Sequence, residues 1–353
     1  MRDIAARLDV SVMTVSRALR NAAGVNQSTR KQVLEMAQRL GYRPDPALAV
    51  LNAYRHNRRQ RVIHEQVAFV TNFPTPNHWK RVPTFRRYFE GASRRADALG
   101  YTVSPFWLGD PNLTPRRAST ILRDRGIRGL LVGPLAKGDT SLELEWDWFS
   151  TVALGRSLVS PGLTTASTNH LQVGELGWTE AVRLGYTRIG LVLSEYEDVR
   201  TLGGLRAAVL LQQSRARLPA IPVHLSSGND PAGVASWVMR EKPDVLLSPE
   251  QTLYEALEPA LRRKVAFIHL NADPESPVAG VDQGHDEVGD HAMALLHLKL
   301  SQRLTGVPAR RDILLIAGQW HAGIPSAPGK SDSREPDAAV TRASGPNGDA
   351  RDR

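Results

Sequence analysis

The chain has 353 residues and a mass of 38.8 kDa, with 41% apolar and 23% charged residues, which suits a globular protein of two or three domains. The absence of cysteine excludes disulfide frameworks, cysteine-ligated zinc, iron–sulfur clusters and cysteine nucleophiles. No apolar stretch approaches the ~18 residues of a membrane span, and the first residues begin a helical pattern and not an apolar signal region. We therefore expect a cytoplasmic protein with no membrane partner.

The net charge of +9 is concentrated near the N-terminus. Residues 1–61 hold 12 Lys and Arg against 4 Asp and Glu, whereas residues 62–326 hold 28 against 27. A small basic region on a nearly neutral body favours a polyanionic partner, because neutralising phosphates releases counterions. The alternative is a solvated, arginine-rich surface, and charge alone favours nucleic acid only slightly.

Three short helices are predicted in the first 41 residues. The first spans about Asp3–Leu8, the second begins after the N-cap Ser11, and the third begins at Asn26 and ends at Gly41. Only three residues, 9–11, link the first two helices. Helices joined this tightly must cross steeply, which is the helix-turn-helix geometry.

The residue pattern changes in the next segment, residues 44–65. Two prolines precede a short apolar helical candidate, Ala47–Tyr54, and a basic polar run, Arg55–Arg61, follows it. This pattern predicts a linker, whose short helical middle a partner can order, between an N-terminal domain of residues 1–43 and the body.

From Gln66 onward the sequence alternates between strand and helix patterns, which predicts an α/β body of parallel sheets with helices on both faces. The strand candidates are Val67–Phe73, Thr102–Trp107, Gly129–Val132, Thr151–Leu154, Arg188–Leu193, Ala220–Leu225, Val245–Leu247, Val265–Leu270 and Ile313–Ile316. The helix candidates are Phe85–Leu99, Pro115–Arg125, Val173–Leu184, Leu202–Gln213, Gly233–Arg240, Leu253–Arg262 and Glu287–Leu304. A stretch of this length suits two lobes, and its polar tail, residues 327–353, is expected to be disordered.

The N-terminal motif resembles the DNA-binding head of the lactose-repressor (LacI/GalR) family. The resemblance is ungapped over about fifty residues and rests on Asp3–Leu19, Gly24–Arg30 and Leu40–Pro44. It implies that the second helix enters the major groove. The base-reading positions are then Val12, Met13 and Arg17, and the positions expected to meet phosphates are Ser11, Thr14, Ser16, Asn26 and Thr29. The alternative is a three-helix bundle used only for packing.

The chemistry of these positions indicates what each would recognise. Val12 and Met13 are apolar and favour contact with thymine methyl groups, whereas the guanidinium of Arg17 can donate to O6 and N7 of a guanine. The family usually has glycine at the position of Asp9. Aspartate tolerates left-handed backbone angles better than most residues, so we expect the turn to be kept.

The segment Pro44–Leu51 resembles the hinge helix of the same family. The resemblance places Leu51, with Leu48 beside it, at the minor groove in the centre of the operator. An apolar wedge at that point kinks DNA by unstacking a base step. The alternative is that both leucines pack against the body.

The body resembles the effector domain of this family, a pair of lobes like those of periplasmic binding proteins. The resemblance predicts one lobe of about 66–166 plus 284–312 and a second of about 167–283 plus 313–326, with Arg200 binding an effector between them. The alternative for Arg200 is a surface ion pair with Glu197 or Asp198. The further candidates at strand ends are Asn72, Phe73, Trp107, Glu250 and Asp282. A tryptophan that ends a strand is more often part of a core.

The sequence as a whole predicts a homodimeric transcription regulator, most simply a repressor, on a pseudo-palindromic operator. A sugar or related metabolite would control it, although Ser248–Gln251 departs from the polar pair that the family has there. The alternative is a solute-binding protein of a transport system. An enzyme is disfavoured, because Gly133–Thr140 lacks the glycine and hydroxyl residue of a phosphate loop and no HExxH or GxSxG motif occurs. No cofactor or metal is expected, and His285 and His291 are interpreted as surface or cleft groups.

Overall fold

The computed structural model describes residues 2–19, 25–40, 65–228 and 230–323. The predicted hinge residues Leu48 and Leu51, the basic run Arg55–Arg61 and the tail 327–353 lie outside these ranges. No helix in the described part of the chain is long and apolar enough to cross a membrane.

Three helices form the N-terminal unit: α1 (Arg2–Leu8), α2 (Val12–Leu19) and α3 (Gln27–Arg39). Their inward faces make a small core around Ile4, Val15 and Val33, each at most 1% exposed. The apolar spacing in the sequence therefore corresponds to a real packing face.

The first lobe is built on a six-stranded parallel sheet. Its strands are β1 (Glu65–Thr71), β2 (Tyr101–Trp107), β3 (Gly129–Val132), β4 (Ser150–Leu154), β5 (Thr165–Thr168) and β11 (Ile313–Ile316). Their order across the sheet is β11-β5-β4-β3-β1-β2. The helices of this lobe are α4 (His78–Arg81), α5 (Pro83–Leu99), α6 (Pro115–Asp124) and α13 (His285–Gln302). Both β3 and β4 are buried along their whole length, as expected for strands covered on two faces.

The second lobe repeats this plan. Its strands are β6 (Ile189–Ser194), β7 (His224–Ser226), β8 (Val245–Ser248), β9 (Ala266–His269), β10 (Gly280–Asp282) and β12 (Gln319–His321). The order is β12-β10-β9-β8-β6-β7, parallel throughout except that β12 runs antiparallel to β10. Its helices are α7 (His170–Arg183), α8 (Glu195–Arg200), α9 (Gly204–Arg215), α10 (Pro231–Glu241), α11 (Gln251–Glu255) and α12 (Pro259–Arg262). The expected fold class, an α/β body of two lobes behind a three-helix head, is confirmed.

The chain crosses between the lobes three times, and the last crossing differs from the predicted one. The sequence predicts that residues 313–326 belong to the second lobe, but Ile313–Ile316 pairs with Thr165–Thr168 at the edge of the first sheet. Only β12, after that strand, joins the second sheet. The sequence does not show which sheet edge is open, so this boundary required the tertiary structure.

Local differences from the predicted elements have backbone causes. The helix expected over Leu253–Arg262 is two short helices, because the residue before Pro259 adopts an extended conformation, with ψ 143° at Glu258. The strand expected over Ala220–Leu225 begins only at His224. Pro222 has no N–H to donate to a neighbouring strand.

Candidate functional site

The turn between α1 and α2 holds the second helix in place. Asp9 adopts φ 50°, the left-handed conformation, and the next residue, Val10, donates its N–H to the carbonyl oxygen of Ala5 at 3.1 Å. Ser11 then caps α2, since its Oγ accepts the N–H of Thr14 at 3.0 Å. The tight turn expected at Asp9 is thus formed without glycine.

One face of α2 packs inward and the other is open. Val15 and Ala18 are buried in the small core, whereas Val12 is 44% and Met13 62% exposed. Arg17 is exposed on the same outward side. The three predicted base-reading side chains therefore share one accessible helix face.

Four of the five residues predicted to contact phosphates lie at two helix N-termini. Asn26 caps α3, and its Oδ1 accepts the N–H of Thr29 at 2.7 Å. At the start of α2, the hydroxyls of Ser11 and Thr14 lie 2.9 Å apart. The fifth residue, Ser16, lies further along α2. Exposed N–H groups and the positive end of the helix dipole make such termini suitable for phosphate oxygens.

A cleft between the lobes contains two adjoining chambers at the carboxyl ends of the strands, where parallel sheets bind ligands. The first chamber, about 450 Å³, is lined by residues that include Phe73, His78, Phe85, Lys137, Tyr196 and Arg200. The second chamber, about 350 Å³, is lined by residues that include Arg87, Glu250, His269, Asp273, Ser276 and His285. Val82, Thr84 and Asn271 belong to both.

Arg200 occupies the first chamber as one half of a buried ion pair. Its Nε and Nη2 donate to the two carboxylate oxygens of Glu197 at 3.0 and 2.6 Å, and the two side chains are only 15% and 13% exposed. Burial alone would lower the pKa of Arg200, but the attraction of Glu197 holds that pKa above its ordinary value. Arg200 therefore lines the cleft and pairs with Glu197, in a buried pair and not at the surface, and its contact with an effector stays a prediction.

Two other predicted residues, Phe73 and Glu250, also line the cleft. Phe73 is 4% exposed and stacks between His78 and Phe85, with ring centroids 5.0 Å apart in each pair. Glu250 faces the second chamber and accepts the N–H of Ser194 at 2.7 Å. Burial raises the pKa of Glu250, although that hydrogen bond works in the opposite direction.

The structure places Asn72, Trp107 and Asp282 outside the lining of both chambers, in structural contacts of their own. Asn72 Oδ1 accepts the N–H of Ala136 at 2.9 Å, and Trp107 Nε1 donates to the carbonyl oxygen of Phe73 at 2.7 Å. Asp282 makes a two-pronged ion pair with Arg87, at 2.8 and 3.0 Å. A strand-end position predicted proximity to the cleft, but it could not show that these side chains fasten the loops around it.

Sequence reasoning missed several residues that connect the lobes. His285 Nε2 lies 2.8 Å from Asn271 Oδ1 in the second lobe and 3.3 Å from Thr84 Oγ1 in the first.

Burial lowers the pKa of His285 well below its ordinary value and that of the nearby His170 to about 3. The interpretation of His285 as a cleft group agrees with this position, whereas His291 is exposed. Asn271 stands just after β9 and could have been found by the strand-end argument, but Thr84 and Arg87 lie within α5 and gave no signal.

Comparison with known proteins identifies the N-terminal unit. Residues 1–45 match the family model described as bacterial regulatory proteins, lacI family. No curated protein matches the chain. The chain therefore carries a lacI-family domain, and the resemblance stated from the sequence is confirmed for this part.

Solved structures extend the comparison to the body. The transcriptional regulator CelR in complex with cellobiose is 17% identical, with TM-score 0.52, over 92% of this chain and 98% of that one. The lac repressor dimer bound to operator and the anti-inducer ONPF is 17% identical, with TM-score 0.50, over 91% and 96%. A LacI family regulator from Enterococcus faecium with bound ribose is 14% identical, with TM-score 0.50, over 75% and 100%. At these identities the likeness shows a shared fold over nearly all of the described chain.

Proposed function

We propose that this chain, which carries a lacI-family domain in its first 45 residues, is a sequence-specific transcription regulator, acting as a repressor, whose affinity for operator DNA is controlled by a small molecule in the interlobe cleft. One observation carries the proposal: Val12, Met13 and Arg17 stand together on the open face of a helix that a capped turn presents to solvent. The basic excess of residues 1–61 supplies the general attraction to DNA.

The DNA-bound form is proposed to be a homodimer. A twofold protein matches a twofold site, so two heads would occupy the two halves of a pseudo-palindromic operator. Leu48 and Leu51 are assigned to the minor groove at its centre, on the strength of the sequence resemblance. The dimeric, operator-bound lac repressor, which shares the fold, supports this arrangement.

The effector is proposed to be a sugar or related metabolite, in contact with Arg200, Phe73 and Glu250. Solved proteins of the same fold hold cellobiose and ribose, which supports a ligand of this size between the lobes. Such a ligand shifts the equilibrium between open and closed lobes by its differential affinity for the two states. That shift alters the spacing of the two heads, and with it the affinity for the operator.

This function needs no chemical step, so the protein is proposed not to be an enzyme. Because it would act on operator DNA, it is also proposed to be cytoplasmic. The described residues contain no group of three metal-ligating side chains, and the proposal requires none.

Gel-shift titration on the DNA that flanks the gene tests the proposal. Arg17→Ala should weaken specific binding by tenfold or more, because the proposed dimer loses two bidentate guanine contacts, each worth about 1–3 kcal/mol of discrimination, while weak, salt-sensitive binding persists. Arg39→Ala is the matched control, since Arg39 is an exposed arginine in the last turn of α3 and is not among the predicted base-reading or phosphate-contacting residues. Equal specificity in wild type and Arg17→Ala would contradict the base-reading assignment.

A further inference from the structure

The first chamber is walled by aromatic rings that come from both lobes. Phe73 and Phe85 belong to the first lobe and lie 5.0 Å apart in a near-parallel stack. Tyr196, in α8, faces the same chamber from the second lobe. Flat apolar walls of this kind suit a ligand that contains a ring, either an aromatic ring or the C–H face of a sugar.

The charge in this chamber is unbalanced. Arg200 and Glu197 neutralise each other in their buried pair. The other charged side chain in the lining is Lys137, and none of the ion pairs found among the described residues includes it. Its ammonium lies 5.0 Å from the centre of the Tyr196 ring, so a cation from the first lobe meets an aromatic face from the second. One positive charge is therefore left to attract a ligand.

The loop that carries Lys137 is fixed by two hydrogen bonds to the side chain of Asn72. Asn72 accepts the N–H of Ala136 at 2.9 Å and donates to Asp139 at 2.8 Å, on either side of the lysine. The lysine is exposed, yet the backbone that bears it is fixed relative to the end of β1. A charged group placed in this way adds orientation as well as attraction.

Neutral hydroxyl groups find fewer partners here. The Nε and Nη2 of Arg200 donate to Glu197, and the lining residues Thr84 and Asn271 both lie within hydrogen-bond distance of His285. A neutral polyol depends on many such side-chain hydrogen bonds, whereas a ring and a single anionic group match what the chamber offers.

We infer that the ligand of the cleft is a ring-bearing carboxylate, a sugar acid or an aromatic acid, whose ring packs against Phe85 and Tyr196 and whose carboxylate pairs with Lys137. The inference deepens the proposed function, because it assigns a chemical class to the effector of that same cleft. Lys137 is then the residue that selects acids over neutral analogues.

Titration calorimetry on the purified full chain, without DNA, tests the inference with two matched pairs: D-glucuronate against D-glucose, and phenylacetate against phenylacetamide. We expect the acid of at least one pair to bind at least tenfold more tightly than its neutral partner, and the pair that shows the effect identifies the kind of ring. Lys137→Gln should weaken that acid at least tenfold, and Lys137→Arg should retain most of the affinity. Lys80→Gln is the control, because the Lys80 ammonium also lies over an aromatic ring, 5.6 Å from the centre of Trp79, but lines neither chamber.

Three results would overturn the inference: neutral analogues that bind as tightly as the acids, no binding by either acid, or unchanged acid affinity in Lys137→Gln. The proposed function fails separately. If an acid binds in a Lys137-dependent manner but leaves operator affinity unchanged in a gel shift, the ligand assignment stands and the regulatory role of the cleft is wrong.

Discussion

The ion pair between Arg200 and Glu197 offers the sharpest test of how the cleft is held together. Glu197→Gln keeps the size of the side chain but removes its negative charge, so Arg200 is left charged and largely shielded from water. Glu180→Gln is the matched control. Glu180 pairs with Arg183 at the same i,i+3 spacing and the same distance, 2.6 Å, but Arg183 is 63% exposed against 15% for Arg200.

The expected magnitudes follow from that difference in burial. Removing one partner of a buried pair costs about 3–5 kcal/mol, because the remaining charge loses its compensation. Removing one partner of an exposed pair costs about 0–1 kcal/mol, since water replaces it. Glu197→Gln should therefore lower the free energy of unfolding by several times as much as Glu180→Gln. The double variant Glu197→Gln/Arg200→Gln should recover part of the loss.

Urea unfolding followed by tryptophan fluorescence measures these differences in the full chain. The free energies of unfolding are compared between variants whose dependence on urea concentration has the same slope. Equal losses in Glu197→Gln and Glu180→Gln would refute the argument, because the two pairs would then be equally solvated. A double variant less stable than Glu197→Gln would also count against it.

Three other expectations concern the turn, a buried histidine and a helix contact. Asp9→Val should destabilise the head by about 1–2 kcal/mol because a β-branched residue is strained at positive φ, whereas Asp9→Gly should not, as hydrogen exchange in α2 would report. Burial lowers the pKa of His170 to about 3. Below pH 6.5, His170 is therefore protonated in the unfolded chain but stays neutral in the native chain. As the pH falls from about 6.5 towards 3, this group should lower the free energy of unfolding by ~1.4 kcal/mol per pH unit. Urea unfolding of His170→Gln at several pH values should show a pH dependence of that free energy that is smaller by this amount. Gly289→Ala should cost about 3 kcal/mol in thermal unfolding, since its Cβ would lie 2.1 Å from the Tyr88 carbonyl oxygen, whereas Gly162→Ala, whose nearest neighbour is 3.9 Å away, should be neutral.

The N-terminal unit was predictable in detail because its signals are local. Helix caps, a three-residue link and apolar spacing all act within a few residues. The structure has Ser11 as the cap that the sequence indicated, and the third helix begins directly after Asn26. The strands Gly129–Val132 and Ile313–Ile316 were likewise found at their correct bounds, because short apolar runs between helices leave few alternatives.

The cleft was predictable only in part. Strand-end arguments found Phe73 and Glu250 in the lining of the cleft, because parallel strands bring their carboxyl ends to one edge, whereas Arg200 was indicated by the family resemblance. The same argument also proposed Asn72, Trp107 and Asp282, whose side chains make contacts in the scaffold. Position along a strand does not determine which neighbour a side chain meets.

The sequence by itself determined a basic helix-turn-helix head, its outward-facing helix and a two-lobed α/β body, since each depends on local periodicity and charge. Only the tertiary structure decided that Ile313–Ile316 completes the first sheet and that the ion pair of Arg200 with Glu197 is buried. It also decided that Lys137 faces Tyr196 across the cleft. Those facts depend on residues brought together from distant parts of the chain or on how deeply a pair is buried, and neither packing nor solvent exposure is written in the spacing of the sequence.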